Sequence, residues 1–106
     1  MEAKAYDPAE FFSAERREQT GEGAAMTWDE IARLAQSKDH RARHKAEYWF
    51  VKRKFDGLTA MLQKWDAGTL DFTPDCPRSI YSLQISAMSE YLAVLEVRAK
   101  IEGVSL

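Results

Sequence analysis

Two stretches of this 106-residue chain carry apolar side chains at alternating intervals of three and four residues. Such spacing puts all the apolar residues of a stretch on one face of an α-helix, as in the seam of a coiled coil. The first stretch consists of Tyr48, Val51, Phe55, Leu58, Leu62 and Trp65, and the second of Tyr81, Ile85, Met88, Leu92, Leu95 and Ala99. The pattern predicts two long helices that share one core. Their short connection, which contains Pro74 and Pro77, favours an antiparallel hairpin.

Capping residues and glycines set the expected helix bounds. Thr27 followed by Glu30 has the pattern of a capping box, which predicts a short helix over about 27–36 with Trp28 and Ile31 on its apolar face. The first long helix is expected over about 40–66, and the second over about 78–102. Gly68 and Gly103 follow these two ends, where glycine is the favoured residue.

The first 26 residues have a different character. Asp7 and Pro8 fit the start of a short helix that carries Phe11 and Phe12, and residues 21–25 contain two glycines and no large apolar side chain. We therefore expect an N-terminal arm over residues 1–26, with a short helix and a flexible connection, and a helical domain over residues 27–106.

The predicted fold class is all-α: a hairpin of two long antiparallel helices with one or two short N-terminal helices packed on it. A chain of this length has room for one core, and its single cysteine cannot form an internal disulfide, so apolar burial must hold the fold. A lone cysteine favours a reducing compartment, and neither a signal peptide nor an apolar run of membrane-spanning length is evident. We expect a cytoplasmic protein with no membrane partner.

The last helix carries a second apolar seam beside the first. Its members are Ile80, Leu83, Ala87, Tyr91, Val94 and Ile101, with Arg98 as the one interruption. Together the two seams cover roughly 200 degrees of the helix surface, about twice what one core-facing helix needs. Either the N-terminal helices pack on this second seam or another copy of the chain does. The sequence favours a homodimer with a four-helix core, and a monomer remains the alternative.

Opposite charges are separated along the chain, although the net charge is only -2. Residues 38–64 hold 8 basic and 3 acidic side chains, while both flanking segments are acidic. Aromatic residues lie in the same basic segment, which predicts a basic aromatic face for a partner. The candidate partner-binding residues are Lys38, Arg41, Arg43, Lys45, Trp49, Lys52 and Arg53. The alternative is that these cations only form the solvent-exposed face of an amphipathic helix or pair with acidic residues elsewhere in the chain.

Residues 27–54 resemble a helix-turn-helix, in which a second helix lies in the major groove of DNA. The resemblance implies DNA or RNA binding, with Arg41, Arg43 and His44 contacting the bases. The expected joint lacks glycine, and the second helix is longer than groove binding requires. Nucleic-acid binding is therefore the alternative to protein binding.

No pattern in the sequence supports catalysis, a cofactor or a metal. His40 and His44 have metal-ligand spacing, but basic neighbours surround them, and Cys76 has no histidine near it in sequence. We expect a small non-enzymatic protein that binds another macromolecule, most simply as a regulatory or inhibitory protein-protein interaction module. In size and tryptophan content it resembles accessory proteins of tailed bacteriophages, although no motif carries that resemblance.

Overall fold

A computed structural model describes residues 26–106, which form three helices and no strand. These are α1 (Trp28–Ala35), α2 (His40–Asp66) and α3 (Arg78–Glu102). The all-α prediction is confirmed, and each helix begins and ends within one residue of the expected bounds. The expected helix at Asp7 and the rest of the N-terminal arm lie outside the described residues.

Local hydrogen bonds explain where the helices begin and end. The Thr27 hydroxyl accepts from the Glu30 amide at 3.1 Å, and the Asp39 carboxylate accepts from the Arg41 amide at 3.0 Å. Both bonds satisfy backbone donors that a helix start leaves free. Gly68 and Gly103 have φ values of 75° and 70°, a region that glycine enters without a steric penalty. Short-range chemistry therefore fixes the helix bounds.

The two long helices pack antiparallel, because the start of α2 contacts the end of α3 and the end of α2 contacts the start of α3. At one end His44 meets Leu95, and at the other Asp66 meets Arg78. The predicted seams face each other and form two buried clusters. Tyr48, Val51, Leu92 and Leu95 make the first cluster, and Leu58, Met61 and Leu62 make the second.

Met61 departs from the expected seam. Its side chain is 1% exposed, although the three-four pattern of α2 leaves it out. The loop after α2 explains the difference, because Leu70 and Phe72 pack against the same cluster and widen the buried sector of the helix. The core thus includes loop residues that helical periodicity does not reveal.

The short helix α1 packs on α2 and not on α3. Ile31 is its one buried residue, and the Trp28 ring stands edge-on to Phe50 with ring centroids 5.6 Å apart. This placement leaves a depression where α1, α2 and the middle of α3 approach each other. In residues 26–106 no helix has both the length and the apolar content for a membrane crossing.

Candidate binding site

The first four residues of the predicted basic aromatic face lie at the start of α2. Lys38 and Arg41 are exposed, and Lys45 is half-buried. Arg43 is also exposed, and its Nη1 donates to the Ser37 carbonyl at 2.8 Å. This bond holds the guanidinium against the joint between α1 and α2. All four cations lie in the joint before α2 or in its first two turns, with Arg43 on a different face of the helix from Arg41 and Lys45.

The other three residues of that face make contacts inside the chain. Arg53 is 4% exposed, its Nη1 donates to the Met26 carbonyl at 2.9 Å, and its guanidinium lies 4.9 Å from the centroid of the Trp28 ring. Trp49 packs against the first core cluster, and Lys52 pairs with Asp56 at 3.1 Å. The expectation of one continuous exposed face is thus corrected, because α1 and the core cover the surface on which Arg53 and Trp49 lie.

His44 is a core residue. Its side chain is 4% exposed, and Nε2 lies 3.0 Å from the Leu95 carbonyl. A carbonyl oxygen only accepts, so Nε2 carries the hydrogen. The expectation that His44 reaches the bases of a nucleic acid is wrong, since the ring faces α3. Within residues 26–106, no three His, Cys, Asp or Glu side chains are grouped as metal ligands would be.

A pocket of about 380 Å³ opens where α1, α2 and α3 meet. Its lining is mostly apolar. The lining residues are Ile31, Ala35, Arg43, Ala46, Glu47, Phe50, Val51 and Tyr91. Its volume lies within the range of ligand-binding clefts, which combine apolar walls with a few polar groups. The pocket is therefore the candidate binding site.

Two helices give the pocket its apolar surface. The buried side chains of Ile31 from α1 and of Ala46 and Val51 from α2 belong to the lining. Phe50 and Tyr91, which are 50% and 42% exposed, add two aromatic rings. Ala46 is 2% exposed, and its small side chain lets α1 approach α2 closely at this point.

The polar lining carries both signs of charge. Arg43 and Glu47 are four residues apart and so project from the same face of α2. The Tyr91 hydroxyl donates to the Glu47 carboxylate, which ties the middle of α3 to α2 beside the pocket. A ligand at this site would meet an apolar surface next to a guanidinium and a carboxylate.

Sequence reasoning missed this pocket. It assigned Ile31 to a stripe of α1 and Tyr91 to the second seam of α3. Convergence of three helices is a tertiary property, which periodicity within one helix does not encode. One available signal was Ala46, a small residue between larger ones on a helix that another helix crosses.

The second seam of α3 is open to solvent in the described part of the chain. Ile80, Leu83, Tyr91, Val94 and Ile101 are all exposed. The short helix α1 does not cover them, because it packs on the other long helix. Of the N-terminal helices expected as one covering of the seam, the short helix at 27–36 does not cover it, and the expected helix at Asp7 lies outside the described residues.

Fold and site together define the molecule as a small all-α protein with an open pocket on a helical hairpin. Residues 38–101, more than half of the chain, match the family model described as Sequestin, and the chain belongs to the Sequestin family. The matched part covers α2, the loop and all but the last residue of α3. No curated protein and no solved structure gives a significant match. The family name indicates a protein that binds and sequesters, which is compatible with a protein partner.

Proposed function

We propose that this protein inhibits another protein by sequestering it at the pocket between α1, α2 and α3. The observation that carries the proposal is the pocket itself, with its apolar surface open to solvent and the Arg43 guanidinium in its lining. The partner segment that fits is an apolar side chain flanked by acidic residues. The Sequestin match supports capture as the mode of action.

Burial of the partner's apolar side chain supplies the affinity. Phe50 is about half exposed in the free protein, so an inserted side chain removes apolar surface on both molecules from water. Each square ångström of such surface is worth about 25 cal/mol. Side chains that fill a desolvated pocket at the centre of an interface dominate binding energy.

The cations at the start of α2 supply attraction at longer range. Lys38 and Arg41 have exposed side chains, and Arg43 stands at the pocket itself. Complementary charge speeds association and selects against partners of the wrong sign, and salt weakens both effects. We therefore expect an acidic partner surface and faster binding at low ionic strength.

The mode of action in this proposal is stoichiometric. We propose a non-enzymatic protein without a cofactor, acting in the cytoplasm, of the kind found among the accessory proteins of tailed bacteriophages. Its effect would depend on its concentration relative to the target, because each pocket removes one target molecule.

The first test fills the pocket without touching the core. Ala35 is exposed and lines the pocket, so Ala35→Phe should occupy the space meant for the partner. Ala67→Phe, at the exposed far end of α2, is the matched control. The wild-type chain is used to isolate and identify a partner from a cytoplasmic extract, and the affinity of each variant is then measured by titration. We expect at least a tenfold loss for Ala35→Phe and none for Ala67→Phe; equal affinities would refute the pocket.

A second test separates the effect of the charges at the start of α2 from the effect of the net charge of the chain. Arg41→Gln combined with Arg43→Gln removes two positive charges from the start of α2, of which Arg43 lines the pocket. Gln63→Glu combined with Ser89→Glu changes the net charge by the same amount at exposed positions elsewhere. The first pair should slow association and weaken its salt dependence, whereas the second should not. An equal effect of both pairs would remove the basic end of α2 from the proposal.

Nucleic-acid binding is the second candidate, favoured by the exposed Lys38 and Arg41 at the start of α2. Phosphate contacts release counterions, so affinity for duplex DNA should fall with salt at a log-log slope of about -0.9 per phosphate neutralised. Binding of duplex DNA or RNA at low salt that is lost in Arg41→Gln with Arg43→Gln would favour this candidate. Absence of salt-sensitive binding at low ionic strength would exclude it.

A further inference from the structure

Exposed apolar side chains are concentrated on α3. Among residues 26–106, six of the seven large exposed apolar residues lie on this helix, and the seventh is Phe50 on α2. Their exposed fractions run from 42% for Tyr91 to 79% for Ile101. The six residues are Ile80, Leu83, Tyr91, Val94, Val97 and Ile101, which we call the α3 outer strip.

The α3 outer strip is continuous. At 100 degrees per residue its members fall within a sector of roughly 120 degrees, which also holds Glu90 and Arg98 and borders, on the side of Tyr91, the sector of Leu92, Leu95 and Ala99 that faces the core. From Ile80 to Ile101 the strip runs for about 32 Å along the helix axis. Ala87 lies inside the same sector, and its small side chain allows close approach of another helix.

The size of the strip points to a partner of the same kind. The six side chains expose on the order of 600 Å², close to the roughly 800 Å² that each partner contributes to a standard interface. This exposed area is also at the upper end of the range for the largest apolar patch on a monomer, which is about 300–600 Å². We propose that a second copy of this chain packs on the α3 outer strip and forms a two-fold symmetric dimer. This inference stands independently of the proposed target.

The charges in the strip select the antiparallel orientation. A parallel pair in register would bring Arg98 and Glu90 each against the same residue of the other copy, which is repulsive, whereas the antiparallel pair places Glu90 opposite the partner's Tyr91. The antiparallel pair that covers the whole strip places Ile80 opposite the partner's Ile101 and Arg98 opposite the partner's Leu83. The Arg98 guanidinium then stays near Glu102, 3.4 Å away, while its aliphatic stem covers the leucine.

Dimerisation would also affect the pocket. The midpoint of the strip falls beside Tyr91, which lines the pocket as well. The two-fold axis therefore brings the two pockets near each other at the centre of the assembly. A target with two suitable segments would gain affinity from binding both.

Sedimentation equilibrium tests the dimer directly. At micromolar concentration the full chain should have twice the mass of a single 12.1 kDa chain. Leu83→Glu and Val94→Glu should each give the single-chain mass with unchanged helical circular dichroism. Ser89→Glu puts the same charge on an exposed position outside the strip and should leave the dimer intact.

Three results would overturn the proposal. A wild-type mass of one chain would mean that residues 1–25 or a different protein cover the strip. A mass above two chains would exclude a closed two-fold pair. Dimers that persist in both glutamate variants would place the interface elsewhere.

Disulfide crosslinking tests the orientation. In a Cys76→Ser background, Ile80→Cys combined with Ile101→Cys should crosslink the two copies under mild oxidation. Ile80→Cys alone should not, because the two positions lie at opposite ends of an antiparallel dimer. Efficient crosslinking of the single variant would instead establish a parallel pair.

Discussion

Tyr48 combines burial with a hydrogen bond to a carboxylate. Its side chain is 8% exposed, and its hydroxyl donates to Glu96 Oε2 at 2.9 Å. Burial raises the pKa of Tyr48 to about 12, with smaller contributions from the hydrogen bond to Glu96 and the negative charges of Glu96 and Asp56. The folded state thus prefers the neutral phenol more strongly than the unfolded chain, whose pKa is 10.0. This stabilisation is complete below pH 10 and is lost as the pH rises towards 12.

Tyr48→Phe should remove that part of the pH dependence. The free energy of unfolding of the wild-type chain should fall more steeply between pH 10 and 12 than that of the variant, because only the wild type must ionise a buried phenol. Urea unfolding at both ends of this window measures the difference. Tyr81→Phe is the control, since no hydrogen bond from this hydroxyl to a carboxylate is present in the described chain. Parallel pH profiles for wild type and Tyr48→Phe would contradict the interpretation.

Leu95 is the most buried side chain of α3, with 0% exposure. Leu95→Ala leaves a cavity between α2 and α3 and should lower the free energy of unfolding by about 2–5 kcal/mol. Ser89→Ala, at an exposed position of the same helix, should change it by less than about 0.5 kcal/mol. Chemical denaturation compares the two variants. A loss below about 1 kcal/mol for Leu95→Ala would mean that the helices relax to fill the space.

At the scale of whole helices, the helix bounds and many core positions were predictable because their determinants are local or periodic. Thr27, Gly68 and Gly103 mark helix ends through bonds and backbone angles within a few residues of themselves. The three-four spacing identified Val51 and Leu92 as core residues through geometry within one helix. Both kinds of information are present in a short window of sequence.

The candidate site was less predictable, since it depends on where elements meet. Arg53 lies between two other basic residues, Lys52 and Lys54, in a segment that looks solvated, yet the packing of Trp28 and Met26 buries it. The pocket needs Ile31 and Tyr91 side by side, although they lie 60 positions apart. No period within a helix specifies such a crossing point, so the pocket was not predicted.

A bidentate ion pair closes the loop end of the hairpin. Arg78 Nε and Nη2 donate to the two oxygens of Asp66 at 3.0 and 3.1 Å, joining the end of α2 to the start of α3. The hydrogen bond from Arg78 lowers the pKa of Asp66 below its ordinary 3.8. A lowered folded-state pKa stabilises the protein above pH 3.8, and the effect is lost as the pH falls through the folded-state value.

Asp66→Asn should therefore destabilise the protein slightly near neutral pH and progressively less in acid. The pair is exposed, so the effect at neutral pH should be small and should shrink with added salt. Thermal unfolding at neutral pH and well below pH 3.8 measures the two cases. Asp71→Asn, in the loop that follows α2, removes the same charge and is the control. Its difference from the wild type should not shrink in acid. A constant difference between wild type and Asp66→Asn at all pH values would show that the charge of Asp66 is irrelevant.

For the whole molecule, the region that matches the family and the two buried clusters both leave out α1. The match begins at residue 38, after α1, and both buried clusters consist of residues beyond that point. The helix α1 contributes Ile31 and Ala35 to the pocket and helps to cover Arg53 through Trp28. The two long helices therefore hold both buried clusters, while α1 completes one side of the candidate site.

A chain shortened to residues 37–106 should separate these two roles. Because it keeps both clusters and the Asp39 cap, it should remain helical and unfold cooperatively, at a lower temperature than the full chain since Arg53 and Phe50 lose the cover of Trp28. Binding of the target should be lost, because the pocket loses its α1 side. Circular dichroism with thermal unfolding measures the first property, and titration with the isolated target the second. An unfolded fragment would show that α1 belongs to the folding unit, whereas a fragment that binds at full affinity would place the binding site on the hairpin alone.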